Sequence, residues 1–125
     1  MSRKKTDAIL FLEDLLNAIE RIERYTANQT FEEFRDNEMA ADAVVRNFEI
    51  IGEAAKNVPD RIMRKYPFVE WKEAIGFRNV LIHDYFGIDL EAVWDTIKNN
   101  IPSLKTNVLQ VLESEGQWAM GDQNR

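Results

Sequence analysis

A short segment between Gly76 and Gly87 holds the side chains that are best suited to chemistry in this chain. His83 is the only histidine, and its unperturbed pKa suits proton transfer near neutral pH. Arg78 carries a permanent charge on a planar group that matches phosphate oxygens. A histidine can remove the proton of a ribose 2′-hydroxyl, while an arginine stabilises the extra charge on a pentavalent phosphorus. The pair therefore suits RNA cleavage that needs no metal and no other cofactor, leaves a 2′,3′-cyclic phosphate and spares DNA.

The spacing within this segment supports that chemistry only in part. Asn79 and His83 are four residues apart and share one helix face, whereas Arg78 and His83 are five apart, about 140° around an ideal helix. Arg78 must therefore use its length or lie at an irregular helix start near Gly76. The carboxylate of Asp84 and the end of the helix both favour the protonated form of the neighbouring imidazole. A surface or capping histidine remains an open alternative on spacing alone.

The number of histidines points to an assembly of two chains. In-line cleavage benefits from a base on the attacking oxygen and an acid on the leaving oxygen, but one chain offers only His83. A two-fold dimer that brings two such helices together offers two histidines and two arginines in one cleft. The chemistry therefore predicts a composite site in a homodimer.

The elements that position this segment are predicted to be helices throughout. Apolar residues recur every three or four positions, and period-2 alternation is nearly absent. We expect an all-α, antiparallel helical bundle with four to five main helices and short connecting helices. Its first long helix spans roughly residues 5–25, with an apolar stripe at Ile9, Leu12, Leu16, Ile19 and Ile22.

Local signals predict where the following helices begin. Thr30 starts a short helix through a capping box with Glu33, and Asn37 caps a second long helix that reaches about residue 57. Gly52 in the middle of that helix costs about 1 kcal/mol relative to alanine, which a close helix crossing would explain.

The second half of the chain is predicted to continue in shorter helices. Pro59 suits a first helical position, and further helices are expected at about 69–75 and 77–86, with Gly87 as the stop. Asp89 caps the next helix, and Pro102 either kinks it or begins a new one. We expect one domain over residues 1–115 and a flexible tail over 116–125.

Composition limits the class of protein. The chain has 125 residues, no cysteine and a net charge of −6, which counts against strong RNA affinity. The charges are uneven, however: between Lys56 and Arg78 there are six bases and three acids, so one basic face is compatible with the acidic total. The apolar run from Ala8 to Leu12 is too short for a signal peptide or a bilayer span. We expect a cytoplasmic protein without a membrane segment.

The residues from Arg78 to Tyr85 resemble a known family signature. The arginine and histidine separated by four residues are similar to the R-x4-6-H motif of the HEPN superfamily, and with Tyr85 they resemble the R-x4-H-x-Y form of its HepT-like branch. Three further features agree with that branch, and the resemblance extends over about residues 8–112. They are Arg46 with the sequence Ile51-Gly52-Glu53-Ala54, Trp71 ahead of the motif, and Ile88-Asp89 with Trp94 after it.

The resemblance implies a fold and a function. It implies a helical homodimer with the motif helices facing each other across a cleft, and a metal-independent endoribonuclease that acts as the toxin of a toxin–antitoxin pair. Arg78 and His83 match the catalytic pair, and Asn79 matches the polar residue beside the arginine. Tyr85 matches the tyrosine to which a minimal nucleotidyltransferase antitoxin transfers AMP. AMP would add bulk and negative charge two residues from His83, where it would repel an RNA phosphate.

Two of these residues have other interpretations. Glu53 resembles an acid of the family and would pair with Arg78, but a charge on the helix surface explains it equally well. Tyr85 also suits an aromatic residue in the core or at an interface.

Two functional alternatives remain open beside the ribonuclease. The chain would then be a non-catalytic helical partner that binds a nucleotide or the nucleotidyltransferase, or a purely structural dimerising bundle. A small nucleotidyltransferase encoded in the neighbouring reading frame would favour the ribonuclease and the nucleotidyltransferase partner over the structural bundle.

Overall fold

The chain is an all-α bundle, as the apolar spacing predicts. The computed structural model describes residues 5–78 and 87–123, with the backbone alone for 117–123. These residues contain seven helices and no strand. The helices are α1 (Asp7–Thr26), α2 (Phe31–Asp36), α3 (Glu38–Asn57), α4 (Asp60–Lys65), α5 (Trp71–Ile75), α6 (Leu90–Asn99) and α7 (Ile101–Gln123).

Side-chain caps fix the start of several helices, and three of them are the predicted ones. Thr30 and Glu33 form both halves of a capping box at α2. The side chains of Asn37 and Asp89 accept hydrogen bonds from Ala40 and Ala92 at the starts of α3 and α6, each at 3.1 Å. These caps depend on residues three positions apart, so the sequence alone is sufficient to find them.

The core lies between the long helices α1 and α3, and the third long helix, α7, also packs against α1. Leu12, Ile19 and Ile22 are fully buried as predicted. Ile9 and Leu16 are only half-buried, because Leu15 and Ala18 take the central places of the stripe. The end of α1 near Arg21 lies beside Asn47 of α3, so the two helices run antiparallel, and the start of α1 meets the end of α3.

The structure decides between the two predicted roles of Pro102. It is the second residue of α7, which begins at Ile101 directly after α6. Proline is tolerated there because the first turn of a helix has no amide that needs an acceptor within the helix. The backbone of α7 stays helical past Gly116 to Gln123. The flexibility of residues 116–125 remains a prediction.

Within the described residues, no helix is both long enough and apolar enough to span a bilayer.

Candidate active site

The structure describes two of the predicted site residues, Arg78 and Glu53. The other predicted site residues lie outside the described part of the chain: Asn79, His83, Asp84 and Tyr85. The predicted helix of residues 77–86 is therefore described only at its start, where Phe77 and Arg78 are helical.

Phe77 holds the chain in place directly before the signature residues 78–85. Its side chain is only 4% exposed and stacks on Phe48 of α3, with ring centroids 5.3 Å apart. Phe48 is completely buried, so this contact joins the segment to the hydrophobic core. The next residue, Arg78, is exposed. The contact therefore holds the backbone while leaving the guanidinium free to meet a ligand.

Gly52 brings α3 unusually close to the same segment. A Cβ atom on Gly52 would lie 3.3 Å from the carbonyl oxygen of Ile75 and 3.6 Å from both the amide nitrogen and the Cβ of Arg78. The predicted close crossing at this glycine is thus confirmed, and the element that crosses is the segment carrying Arg78. A larger side chain at residue 52 would push that segment away from α3.

We expect Gly52→Val to destabilise the fold by about 1–3 kcal/mol, because the added methyl groups overpack the contact with residues 75–78. The better helix propensity of valine offsets less than about 1 kcal/mol of that loss. The midpoint of urea unfolding measures the effect.

The matched control is Gly116→Val, at a helical glycine whose Cβ would meet nothing within 4 Å. This variant should unfold at the wild-type midpoint or slightly above it. Equal midpoints for the two valine variants would show that the crossing at Gly52 is not tight.

Polar side chains also hold residues 65–71, which precede Arg78 in the chain, against α7. The Glu70 carboxylate, at the start of α5, accepts hydrogen bonds from Ser103 and Asn107 of α7. One helix further back, Tyr66 and Lys65 both donate to Glu115 of α7, the lysine at 2.9 Å. The indole of Trp71 donates to the carbonyl of Tyr66 at 2.9 Å. The segment of residues 65–71 is therefore tied to α7 by carboxylates.

These hydrogen bonds lower the pKa of both carboxyls. Burial raises the pKa of Glu70, but hydrogen bonds from Ser103 and Asn107 outweigh it, so the net pKa falls below its ordinary value of 4.5. Burial likewise raises the pKa of Glu115, and the bonds from Tyr66 and Lys65 outweigh it. The folded chain therefore holds these protons less tightly than the unfolded chain, and both carboxylates stabilise the fold above pH 4.5.

We expect the melting temperature to fall as the pH drops below about 4.5, because the unfolded chain then binds protons at these two carboxyls that the folded chain does not bind. Glu70→Gln should lower the melting temperature at neutral pH and make it less sensitive to acid. Asp42→Asn, at an exposed carboxylate of α3, is the control and should leave the acid slope unchanged. Thermal unfolding followed by circular dichroism between about pH 3 and pH 7 tests this, and a Glu70→Gln slope identical to wild type would contradict it.

A cleft of about 400 Å³ opens where α1, α3 and Arg78 meet. It brings together Arg78 and Glu53, which the sequence analysis offered as a possible pair. Among the described residues no ion pair joins the two side chains, so both line the cleft without pairing to each other. The lining comes from three parts of the chain: Phe11 and Asp14 of α1, Arg46, Glu49, Ile50, Glu53, Ala54 and Asn57 of α3, and Arg78.

Sequence reasoning missed several of these residues. Asp14, Glu49 and Asn57 did not stand out, and Arg46 was noted only for its place in the resemblance. A signal was present on α3, because residues 46, 49, 50, 53 and 57 follow helical spacing and lie on one face. No local pattern, however, indicates that this face meets Phe11 and Asp14 of α1.

The fold places the chain among the all-helical bundle proteins, and comparison with known proteins gives its family. The chain belongs to the family described as ribonuclease HepT-like, whose model matches residues 15–111. It is 46% identical over 95 residues to the "Probable ribonuclease HepT" of Thermococcus cleftensis, covering 76% of this chain and 86% of that protein. It is 42% identical over 109 residues to "Putative RNase MJ1216" of Methanocaldococcus jannaschii, covering 87% and 90%.

A third relative is longer than this chain. The chain is 41% identical over 109 residues to the "Gamma-glutamylcyclotransferase and putative RNase MJ0434" of Methanocaldococcus jannaschii, covering 87% of this chain but only 49% of that protein. This chain thus spans about half the length of that relative. No solved structure matches the chain.

Proposed function

We propose that this chain is the toxin of a HEPN and minimal nucleotidyltransferase toxin–antitoxin pair, acting in the cytoplasm as a metal-independent endoribonuclease. Its site is a composite of two identical subunits, and Arg78 and His83 are its catalytic residues. The observation that carries the proposal is the placement of Arg78, which is exposed at a cleft while Phe77 and Gly52 fix its backbone. Family membership and relatives named as ribonucleases support the same activity.

The reaction follows from the chemistry of the two side chains. His83 removes the proton of the 2′-hydroxyl, and the resulting oxygen attacks the adjacent phosphorus. The bond from phosphorus to the 5′-oxygen breaks, and that oxygen takes a proton from the histidine of the second subunit. Arg78 stabilises the charge on the pentavalent phosphorus, Asn79 orients the site, and Asp84 favours the imidazolium. The products are a 2′,3′-cyclic phosphate and a 5′-hydroxyl.

In the same proposal, a partner enzyme controls the activity. A minimal nucleotidyltransferase transfers AMP to the hydroxyl of Tyr85, with pyrophosphate leaving from ATP. The added phosphate lies two residues from His83 and repels the RNA backbone. Glu53, which lines the cleft beside Arg78, supports the site without pairing to Arg78 in the described residues.

The test is cleavage of a single-stranded RNA by the purified chain, freed of any partner, in excess EDTA. We expect fragments that end in a 2′,3′-cyclic phosphate, and no cut at any position where a 2′-deoxynucleotide replaces the ribonucleotide. Cleavage that requires added metal, or that continues at the deoxy position, would overturn the mechanism.

The acidic lining of the cleft favours one other candidate function. Asp14, Glu49 and Glu53 outnumber Arg46 and Arg78 there, which is unusual for a phosphate site. A non-catalytic partner that docks the nucleotidyltransferase would show tight association with it and a mass increase of one AMP, lost in Tyr85→Phe, with no cleavage of any RNA.

A further inference from the structure

The acidic lining of the cleft at Arg78 also has an explanation within the ribonuclease function. A site that bound only phosphates would gain nothing from three carboxylates. Among the described residues, no group of acidic side chains has a geometry that could hold a metal ion. Carboxylates accept hydrogen bonds, so they suit a ligand that donates to them. Nucleobases with amino groups are such ligands, because a carboxylate accepts readily from the exocyclic amine.

The cleft has the other features that an unpaired nucleotide needs. Its volume of about 400 Å³ lies within the usual range for small-ligand sites. Half-buried Phe11 presents an aromatic ring, and Ile50 and Ala54 supply further apolar surface. Proteins that recognise single-stranded RNA commonly stack a base on such a ring and bind its edge with polar side chains.

Arg46 gives the cleft a second cation. It is exposed on the same face of α3 as Glu49 and Glu53, and it forms no ion pair with any described side chain. This is notable because Asp42 and Glu49 lie four and three residues away, within helical reach. A guanidinium that stays unpaired beside acids is available for a phosphate of the bound strand.

We propose that the cleft between α1 and α3 is the subsite for the nucleotide next to the cleaved phosphate. Arg46 contacts a backbone phosphate, and Glu49 accepts a hydrogen bond from the amino group of an adenine, cytosine or guanine. Uracil has no amino group and binds less well. The inference rests on the proposed ribonuclease function and names its preferred substrate, a single strand with an amino-bearing base beside the cut.

The experiment uses short single-stranded RNAs in which one ribonucleotide, varied through all four bases, is followed and preceded by deoxynucleotides. We expect kcat/KM for uridine to be about tenfold or more below that of the best amino-bearing base. In Glu49→Gln the gap should narrow, because the amide can donate to the O4 of uracil. A wild-type enzyme that cuts all four equally, or a Glu49→Gln variant that keeps the full preference, would overturn the subsite.

Salt dependence tests Arg46 separately. Removing one phosphate contact should reduce the slope of log KM against log salt by about 0.7 for a single strand. Arg46→Ala should show that reduction, whereas Arg24→Ala should not. Arg24 is an exposed arginine of α1 about 15 Å along the helix from Asp14. An unchanged slope in Arg46→Ala would remove Arg46 from the subsite.

The outcomes keep the two proposals distinct. If the wild-type chain cuts no RNA at all, the ribonuclease function itself fails. If it cuts RNA but both variants behave as wild type, only the nucleotide subsite fails. Circular dichroism of each variant shows whether the helical fold is retained, and both substitutions are at exposed positions.

Discussion

Arg78→Ala should lower kcat/KM for RNA cleavage by between about 10²- and 10³-fold, the usual loss when one group that stabilises developing charge is removed. The free energy of unfolding should barely change, because the side chain is exposed and forms no ion pair with a described residue. Phe77 and Gly52 hold the backbone, so the variant removes the guanidinium without moving the segment. Initial rates on a single-stranded RNA in EDTA measure the loss.

Two further variants define what Arg78 contributes. Arg78→Lys keeps the charge but cannot make the paired hydrogen bonds of the guanidinium, so its activity should lie between wild type and Arg78→Ala. Arg24→Ala, at an exposed arginine remote from the cleft, should retain wild-type activity. Full activity in Arg78→Ala would remove this residue from the mechanism.

His83→Ala should reduce cleavage by between about 10²- and 10⁴-fold, the range that a general acid or base contributes. The dimer should persist, as measured by sedimentation, because the substitution removes a titratable group and not an apolar anchor. The double variant His83→Ala with Arg78→Ala should be little less active than the less active of the two single variants. The effects of substituting residues that act as one unit are not additive. Cleavage that persists in His83→Ala would refute the histidine as base.

Mixed dimers distinguish a composite site from two independent ones. Wild-type and His83→Ala chains, mixed in equal amounts and allowed to exchange, form about one quarter wild-type dimers. If each cut needs both histidines, the mixture should have about one quarter of the activity of wild-type protein at the same total concentration. If each subunit works alone, it should have about one half of that activity.

Much of the fold could be predicted because its signals are local. Thr30, Asn37 and Asp89 cap helices through residues three positions away, and the apolar stripe of α1 follows directly from helical periodicity. The apolar pattern did not separate the adjacent residues Leu15 and Leu16. Packing decides between them, so Leu15 is fully buried and Leu16 only half-buried.

The candidate site was less accessible to prediction. Arg78 and Glu53 were found by residue type and by resemblance, but their meeting in one cleft depends on how α3 crosses residues 75–78. Phe11 and Asp14 belong to that cleft only because α1 runs antiparallel to α3. Glu70 gave no sign of its bonds to Ser103 and Asn107, which are more than thirty residues away. Contacts between residues far apart in the chain produce no local pattern in a single sequence from which they could be predicted.

The close approach at Gly52 constrains how this protein can evolve. A Cβ atom at residue 52 would meet the carbonyl oxygen of Ile75 and the amide nitrogen of Arg78, with the Arg78 Cβ beside them. The two main-chain atoms are the same whatever residues occupy those positions, and every residue except glycine has a Cβ. No compensating substitution on the opposing side can therefore make room for a larger residue at 52. Among homologues that keep the activity, we expect this position to vary far less than exposed neighbours such as Met39, and reversion to glycine to be the main route by which a damaged variant recovers.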